Sequence, residues 1–318
     1  MSAPPGTPAR EDAPSGRPTV IAPAAVEGTT KFGAARLSIV SNSTLIMLKI
    51  AAGAITGSVA IVTEAVHSSV DLIASVVAYV SLRKADEPAD ERHMYGHAKI
   101  ENVAAAIEGI LILVGAGVIV FEAVRRLASS AHVDHLGVGI AVIGFSAAVN
   151  IAVSSYLQRQ ARVHDSPALE SDAAHLRADS WTSFAVLGGL VLIEVTGVEQ
   201  LDSIVALFVA SAIVYAGIRI LSRTSRVLVD EALPAEELDL VRQSIAAHGA
   251  PELVGYHKLR GRRAGSARYI DVHLQFAPGT SLERAHGIAH EVQGEVRRRL
   301  PGAEVLVHIE PAPPEDGG

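Results

Sequence analysis

Apolar residues gather in six long runs over the first part of the chain and then give way to shorter segments of mixed period. The runs cover about 33–56, 59–82, 101–124, 136–158, 171–196 and 201–222. A bilayer crossing takes roughly 20 predominantly apolar residues, so the pattern predicts six membrane-spanning helices. Several runs contain charged or polar residues that dilute the apolar signal. After Pro234 the pattern changes. Residues 235–248 carry helical period, and 253–262 and 267–276 read as strands, the second alternating through Ile270, Val272, Leu274 and Phe276. A helix over 281–299, a turn at Pro301-Gly302 and a strand over 303–310 complete an αββαβ order. That order suits a three-stranded sheet with both helices on one face. A domain so small, with exposed sheet edges, suits pairing with a second copy.

Composition agrees with a membrane part joined to a soluble part. Of 318 residues 49% are hydrophobic and only 19% charged, below the roughly 25% of soluble domains. The first thirty residues are rich in Pro, Ala, Gly and Ser and hold no apolar stretch of signal-peptide length before Phe32. The expected parsing is a disordered tail over 1–31, a membrane all-α six-helix bundle over 32–226, an α+β domain over 227–312 and a short tail over 313–318. Lys and Arg set the orientation. Lys31, Arg36, Arg83, Lys84, Arg92, Lys99, Arg159, Arg162, Arg219, Arg223 and Arg226 fall on one side, and only Arg125 and Arg126 oppose them. Both termini and the αββαβ domain are therefore expected in the cytoplasm, with the bundle in the inner (plasma) membrane.

Charge and residue content narrow the chemistry. The net charge is −7 and no dense basic patch occurs, which gives nucleic-acid binding little support. Cysteine is absent, so thiolate metal sites, disulfides and cysteine nucleophiles are excluded. Soft-metal chemistry would have to run on the thirteen histidines and on carboxylates. The second run contains His67-Ser-Ser-Val-Asp71 and the fifth His175-Leu-Arg-Ala-Asp179. Residues four apart share one helix face. A carboxylate inside a span costs several kcal/mol unless paired, hydrated or metal-bound. Together the two helices offer two imidazoles and two carboxylates, a tetrahedral set for a zinc-like ion. The competing reading is a pair of helix–helix hydrogen bonds that hold the bundle together.

These two motifs, in the second and fifth of six spans and followed by an αββαβ domain, resemble the cation diffusion facilitator family. Gly57-Ser58, the run from His93 to Glu101 and the segment Leu201-Asp202-Ser-Ile-Val-Ala-Leu are also similar to the family pattern. The likeness extends from about Phe32 to Pro311. It implies a homodimer that exports divalent metal by exchange for protons, with a ferredoxin-like, heavy-metal-domain-like cytoplasmic part. It places the transport site on His67, Asp71, His175 and Asp179. His67 stands where bacterial members often have aspartate, which resembles the zinc-preferring branch. A loop site is implied on Asp90, His93 and His97, and a cytoplasmic binuclear site on His257, His273, His286, His308 and Glu310. There Glu310 replaces a typical aspartate and Ile309 a polar ligand, which puts one of the two ions in doubt. Lys99 and Asp230 resemble a charge pair linking the third and sixth spans.

The resemblance implies zinc as substrate and as a regulatory or structural ion, with protons as the counter-substrate and the lipid bilayer as the surroundings. Histidine must be neutral to bind metal and its reference pKa lies near neutral pH. Metal from inside would therefore displace a proton, and a proton from outside would later displace the metal. Cadmium, cobalt, nickel, iron(II) and manganese remain alternatives as cargo. So do a metal-responsive receptor that passes no flux, a passive channel and a membrane hydrolase. The last would need an open catalytic position that four complete ligands do not leave.

Overall fold

The computed structural model describes residues 28–56, 59–128, 137–196 and 200–313. The expected tails, except for 28–31 and 313, lie outside the described residues, as do Gly57-Ser58 and the loop at Ala131 to His135. Six long helices come first: α1 Gly28–Thr56, α2 Val59–Ala85, α3 Lys99–Ala128, α4 Gly137–His164, α5 Pro167–Thr196 and α6 Gln200–Leu228. Each outruns its apolar segment at one or both ends. Arg159 and Arg162, expected beyond the fourth run, lie within α4, and Arg223 and Arg226 lie within α6. Basic side chains favour a helix C-terminus, where the backbone dipole is negative. They also let the polar turns continue past the hydrocarbon. Among the described residues, four helices have a stretch long and apolar enough to cross a membrane: Lys31–Ile55, Lys99–Arg125, Ala141–His164 and Ser203–Leu228. The other two, α2 and α5, carry Asp71 and the set Asp172, His175, Arg177 and Asp179.

Small side chains bring these helices together. Ala34, Ala74, Ala78, Ala105, Ala116, Ala147, Ala168, Ala173 and Ala210 are buried, and small residues allow the close backbone approach that packs helices in membranes. The α3–α6 contact is tight at Gly217, where a Cβ would stand 2.9 Å from Leu113. At one end of the bundle Lys31 of α1 meets Glu101 of α3 at 2.6 Å and Asp86, just past α2, at 3.0 Å. Ser166, just before α5, donates to Glu101 Oε2 at 2.5 Å. Lys31 and Glu101 together thus tie four helix ends.

The α+β part follows as α7 Ala235–Ala247, β1 Leu253–Ala264, β2 Ala267–Phe276, α8 Leu282–Arg299 and β3 Ala303–Pro311. The sheet order is β1-β2-β3, with β1–β2 antiparallel and β2–β3 parallel. Alternation in β2 sends Ile270, Val272, Leu274 and Phe276 into one core with Val241 and Ile245 of α7 and Ile288, Val292 and Val296 of α8. The opposite face of β2 is thereby left for polar residues. Ser281 starts α8 by accepting from the Arg284 N–H at 3.2 Å, a cap worth about 1 kcal/mol.

The β1–β2 hairpin docks on the helical part. Its tip, Gly265, has φ +56°, and its buried N–H donates to Asn102 Oδ1 at 2.8 Å. Asp165 and Asp230, which follow α4 and α6, both adopt positive φ. Asp165 meets Arg268 at 2.8 Å, and Asp230 meets Arg262 at 3.1 Å and Lys99 at 2.8 Å. Tyr269 Oη donates to the Tyr95 carbonyl at 2.7 Å, and the Arg262 guanidinium lies over both rings. A Cβ at Gly265 would stand 2.5 Å from the Ala98 carbonyl oxygen. Gly265→Ala is therefore expected to undock the hairpin, adding a left-handed backbone cost of about 1–2 kcal/mol. Hydrogen exchange should quicken at Asn102 and the hairpin tip, while the β2 and α8 core amides keep their protection. Unchanged exchange around Asn102 would show that the contact does not hold the two parts together.

Candidate metal centre

Three groups of potential ligands gather in the described residues, and each follows from a local regularity. The first is inside the bundle. His175 and Asp179 lie one turn apart on α5, and Asp71 of α2 faces them. His175 Nε2 is 3.3 Å from Asp71 Oδ1 and 3.7 Å from Asp179 Oδ2. One ligand atom from each of the three lies within 4.8 Å of the others. Asp71 and His175 are buried, and His175 Nδ1 has no hydrogen-bond partner. From α1, Asn42 Nδ2 reaches the Asp71 carbonyl at 3.4 Å and Ser75 Oγ at 2.8 Å, which fixes the α2 backbone beside the carboxylate. His67 belongs to α2, but its side chain lies outside the described residues. An imidazole nitrogen and two carboxylates in this span suit a divalent ion of zinc type.

The second group lies between α2 and α3. Asp90 Oδ1 accepts the backbone N–H groups of Arg92 and His93 at 2.9 and 2.6 Å, a turn that folds the loop back on itself. His93 Nδ1 then stands 3.2 Å from Asp90, and His97 Nε2 stands 3.1 Å from His93 Nδ1 and 3.4 Å from Asp90. The His93 and Arg92 amides hold the Asp90 carboxyl below the usual carboxylate range, the His93 amide foremost. Tyr95, whose carbonyl receives Tyr269, belongs to the same loop, so this cluster adjoins the docked hairpin.

The third group is on the polar face of the sheet. His257 pairs in register with His273, and His273 with His308. One histidine from each strand therefore forms a row, with ring centroids 5.1 and 4.5 Å apart. Glu310 approaches His257 Nε2 at 2.5 Å, His273 Nδ1 at 3.0 Å and His308 Nε2 at 3.9 Å. The hydrogen bond from His273, then those from Gln275 and His257, keep the Glu310 carboxyl below its ordinary range. His257, His273 and Glu310 gather their ligand atoms within 4.8 Å, and His308 adjoins them. His286 does not join them within this chain. It sits on α8, the helix packed on the apolar face, and its ring lies 4.4 Å from that of His290. Lys99 and Asp230 meet at 2.8 Å, and Lys99, then Arg262, depress the Asp230 carboxyl.

Glu108, Asp172 and the Lys31–Glu101 pair did not stand out from the sequence. The available signal was a carboxylate inside an apolar run, which costs free energy and so asks for a reason.

Residues 35–229 match the family model described as the cation efflux transmembrane domain, and residues 233–312 match that of the cation efflux protein cytoplasmic domain. An uncharacterized transporter of Synechocystis is 35% identical over 264 residues, covering 83% of this chain and 85% of that protein. Metal tolerance protein C1 of Arabidopsis thaliana is 33% identical over 296 residues, 87% of this chain and 62% of the plant protein. The cation-efflux pump FieF of Klebsiella pneumoniae is 32% identical over 270 residues, 85% of this chain and 89% of the pump.

The depressed Glu310 carboxyl sets a pH dependence. Its stabilising contribution is fully present above the unfolded carboxyl value of about 4.3 and is lost as pH falls through the lower folded value. In metal-free buffer, Glu310→Gln should lower the thermal midpoint of the full chain above that window. The difference from wild type should shrink as pH drops through it. A gap that persists unchanged at strongly acid pH would mean that the carboxylate charge contributes nothing.

Proposed function

The chain belongs to the cation efflux, or cation diffusion facilitator, family of membrane transporters, and from that premise we propose that it exports zinc from the cytoplasm in exchange for protons. The observation that carries this reading is the meeting of Asp71, His175 and Asp179 inside the bundle. In this reading all six long helices cross the membrane. Two of them, α2 and α5, hold the cargo, with His67 as the fourth ligand one turn along α2 from Asp71. The transport domain spans 32–226 and the metal-binding, dimerising domain 227–312, with both termini in the cytoplasm of a cell whose inner membrane holds a homodimer.

Exchange follows from ligand chemistry. An imidazole binds either a proton or a metal at one nitrogen, so metal from the cytoplasm releases a proton, and a proton from outside releases the metal. The free energy comes from the inward proton gradient. Lys99 and Asp230 serve as the pivot between α3 and α6. The loop cluster and the sheet cluster bind further ions, and those on the sheet adjust dimer contact to the cytoplasmic metal level. Zinc is favoured over manganese because imidazole suits it better.

The test is zinc flux in proteoliposomes under an imposed pH gradient. Zinc should move against protons, and collapsing the gradient should stop accumulation. Asp71→Ala and Asp179→Ala should each reduce flux by roughly a hundredfold or more. Losing one partner in a buried charged cluster costs about 3–5 kcal/mol, and each 1.4 kcal/mol is about tenfold. Flux that survives in both variants would move the transport site elsewhere. Zinc movement indifferent to the gradient would make the protein a channel, and binding without flux would make it a receptor.

A further inference from the structure

Buried polar groups in the bundle do not stop at Asp71, His175 and Asp179. Glu108 of α3 and Asp172 of α5 are both 0% exposed. Glu108 Oε1 and Oε2 and Asp172 Oδ2 accept no hydrogen bond. Asp172 Oδ1 accepts from Ser75 Oγ at 3.1 Å, and Ser75 Oγ in turn lies 2.8 Å from Ser38 Oγ and from Asn42 Nδ2. Glu108 lies near Ser171 and within electrostatic reach of Asp172 and His175, and its helix α3 packs on α5. The Ser171 hydroxyl gives its proton to the Ala168 carbonyl instead.

Depth along the helices places this pair. Ser166, just before α5, bonds Glu101, near the start of α3, so the two helices begin level. At about 1.5 Å per residue, Glu108 and Asp172 lie roughly 10 Å further in, and His175 and Asp179 roughly 13 to 20 Å. The end from which this depth is counted carries the domain that matches the cytoplasmic part of the family. The carboxylate pair thus stands between the cytoplasmic side and the central cluster, just behind the Lys31–Asp86–Glu101–Ser166 knot. Two buried carboxylates within electrostatic reach of each other in a medium of low polarity cannot both stay ionised without a cation. Lys31, the lysine buried at this end, is engaged by Asp86 and Glu101.

We propose that Glu108 and Asp172, with the Ser75 hydroxyl beside them, form a second divalent-cation station on the cytoplasmic side of the Asp71–His175–Asp179 centre. Its oxygen donors hold a zinc-type ion less firmly than a site with imidazole would. The station is therefore a transit position from which the ion passes to His175. The passage rests on the transport reading above, whereas the binding does not.

Equilibrium dialysis with cadmium on the purified full-length chain tests the binding. In an Asp71→Asn/Asp179→Asn background the chain should bind one ion more than the same background with Glu108→Gln, and Glu108→Asp should keep that ion. The loop and sheet clusters are common to all these variants and cancel. Equal counts would mean that the two carboxylates are simply protonated, and the station would be lost. In proteoliposomes, Glu108→Gln alone should raise the KM for zinc on the loading side by about tenfold or more, since even outer-shell partners of a metal site are worth about 10–100-fold in affinity, with kcat nearly unchanged. Unaltered kinetics, or a fall in kcat at constant KM, would overturn the transit role. If Asp71→Ala abolishes flux while Glu108→Gln matches wild type in both assays, the transporter stands and the station falls. If the wild type shows no flux, the ion counts alone decide the station.

Discussion

A carboxylate inside an apolar bundle has to be paired, hydrated or neutralised by a cation, and the helical part of this protein is arranged around that requirement. Asp71 lies midway along α2, and Glu108 and Asp172 lie within about three turns of the starts of α3 and α5, each on a helix otherwise rich in Ala, Val, Ile and Leu. They concentrate on the faces that α2, α3 and α5 turn toward one another. Serines and Asn42 from α1 and α2 supply hydrogen bonds to part of the cluster. The helices can approach because the residues between the polar groups are largely alanine. Small side chains and buried acids are thus two sides of one construction: the first bring the helices close, and the second supply the charge a cation answers.

The junction with the sheet has a different physical basis. Charge there is paired within the protein: the buried Lys31 with Asp86 and Glu101, and the half-buried Arg268 with Glu237 and Asp165. The hairpin tip adds a backbone donor, the Gly265 N–H, to the Asn102 side chain. The loop that carries Asp90, His93 and His97 shares Tyr95 with this junction, so its conformation and the seating of the hairpin are mechanically joined. The sheet itself separates two tasks by its pleat. Alternation buries Ile270, Val272, Leu274 and Phe276 under both helices and leaves His273 between His257 and His308 on the other face. The same period that builds the core therefore builds the histidine row.

Much of this is legible in the sequence because it depends on local period. The long apolar runs, the αββαβ order and the strand face of His273 follow from spacings of two or four residues, which covalent geometry imposes on any helix or strand. The four-residue spacing of His175 and Asp179 puts them on one face of whatever helix holds both. The extra length of the helices is hidden, since their last turns are polar and a hydropathy pattern stops where the hydrocarbon does. Which helices become neighbours, and at what depth, has no local signature. Only tertiary packing brings Asp71 to His175, aligns His257, His273 and His308 across three strands, and sets His286 on the far side of the sheet. Packing likewise brings Glu108 within electrostatic reach of Asp172 and closes Lys31 over Glu101, because pairings between residues 64 or 70 positions apart are decided by the mutual fit of whole helices.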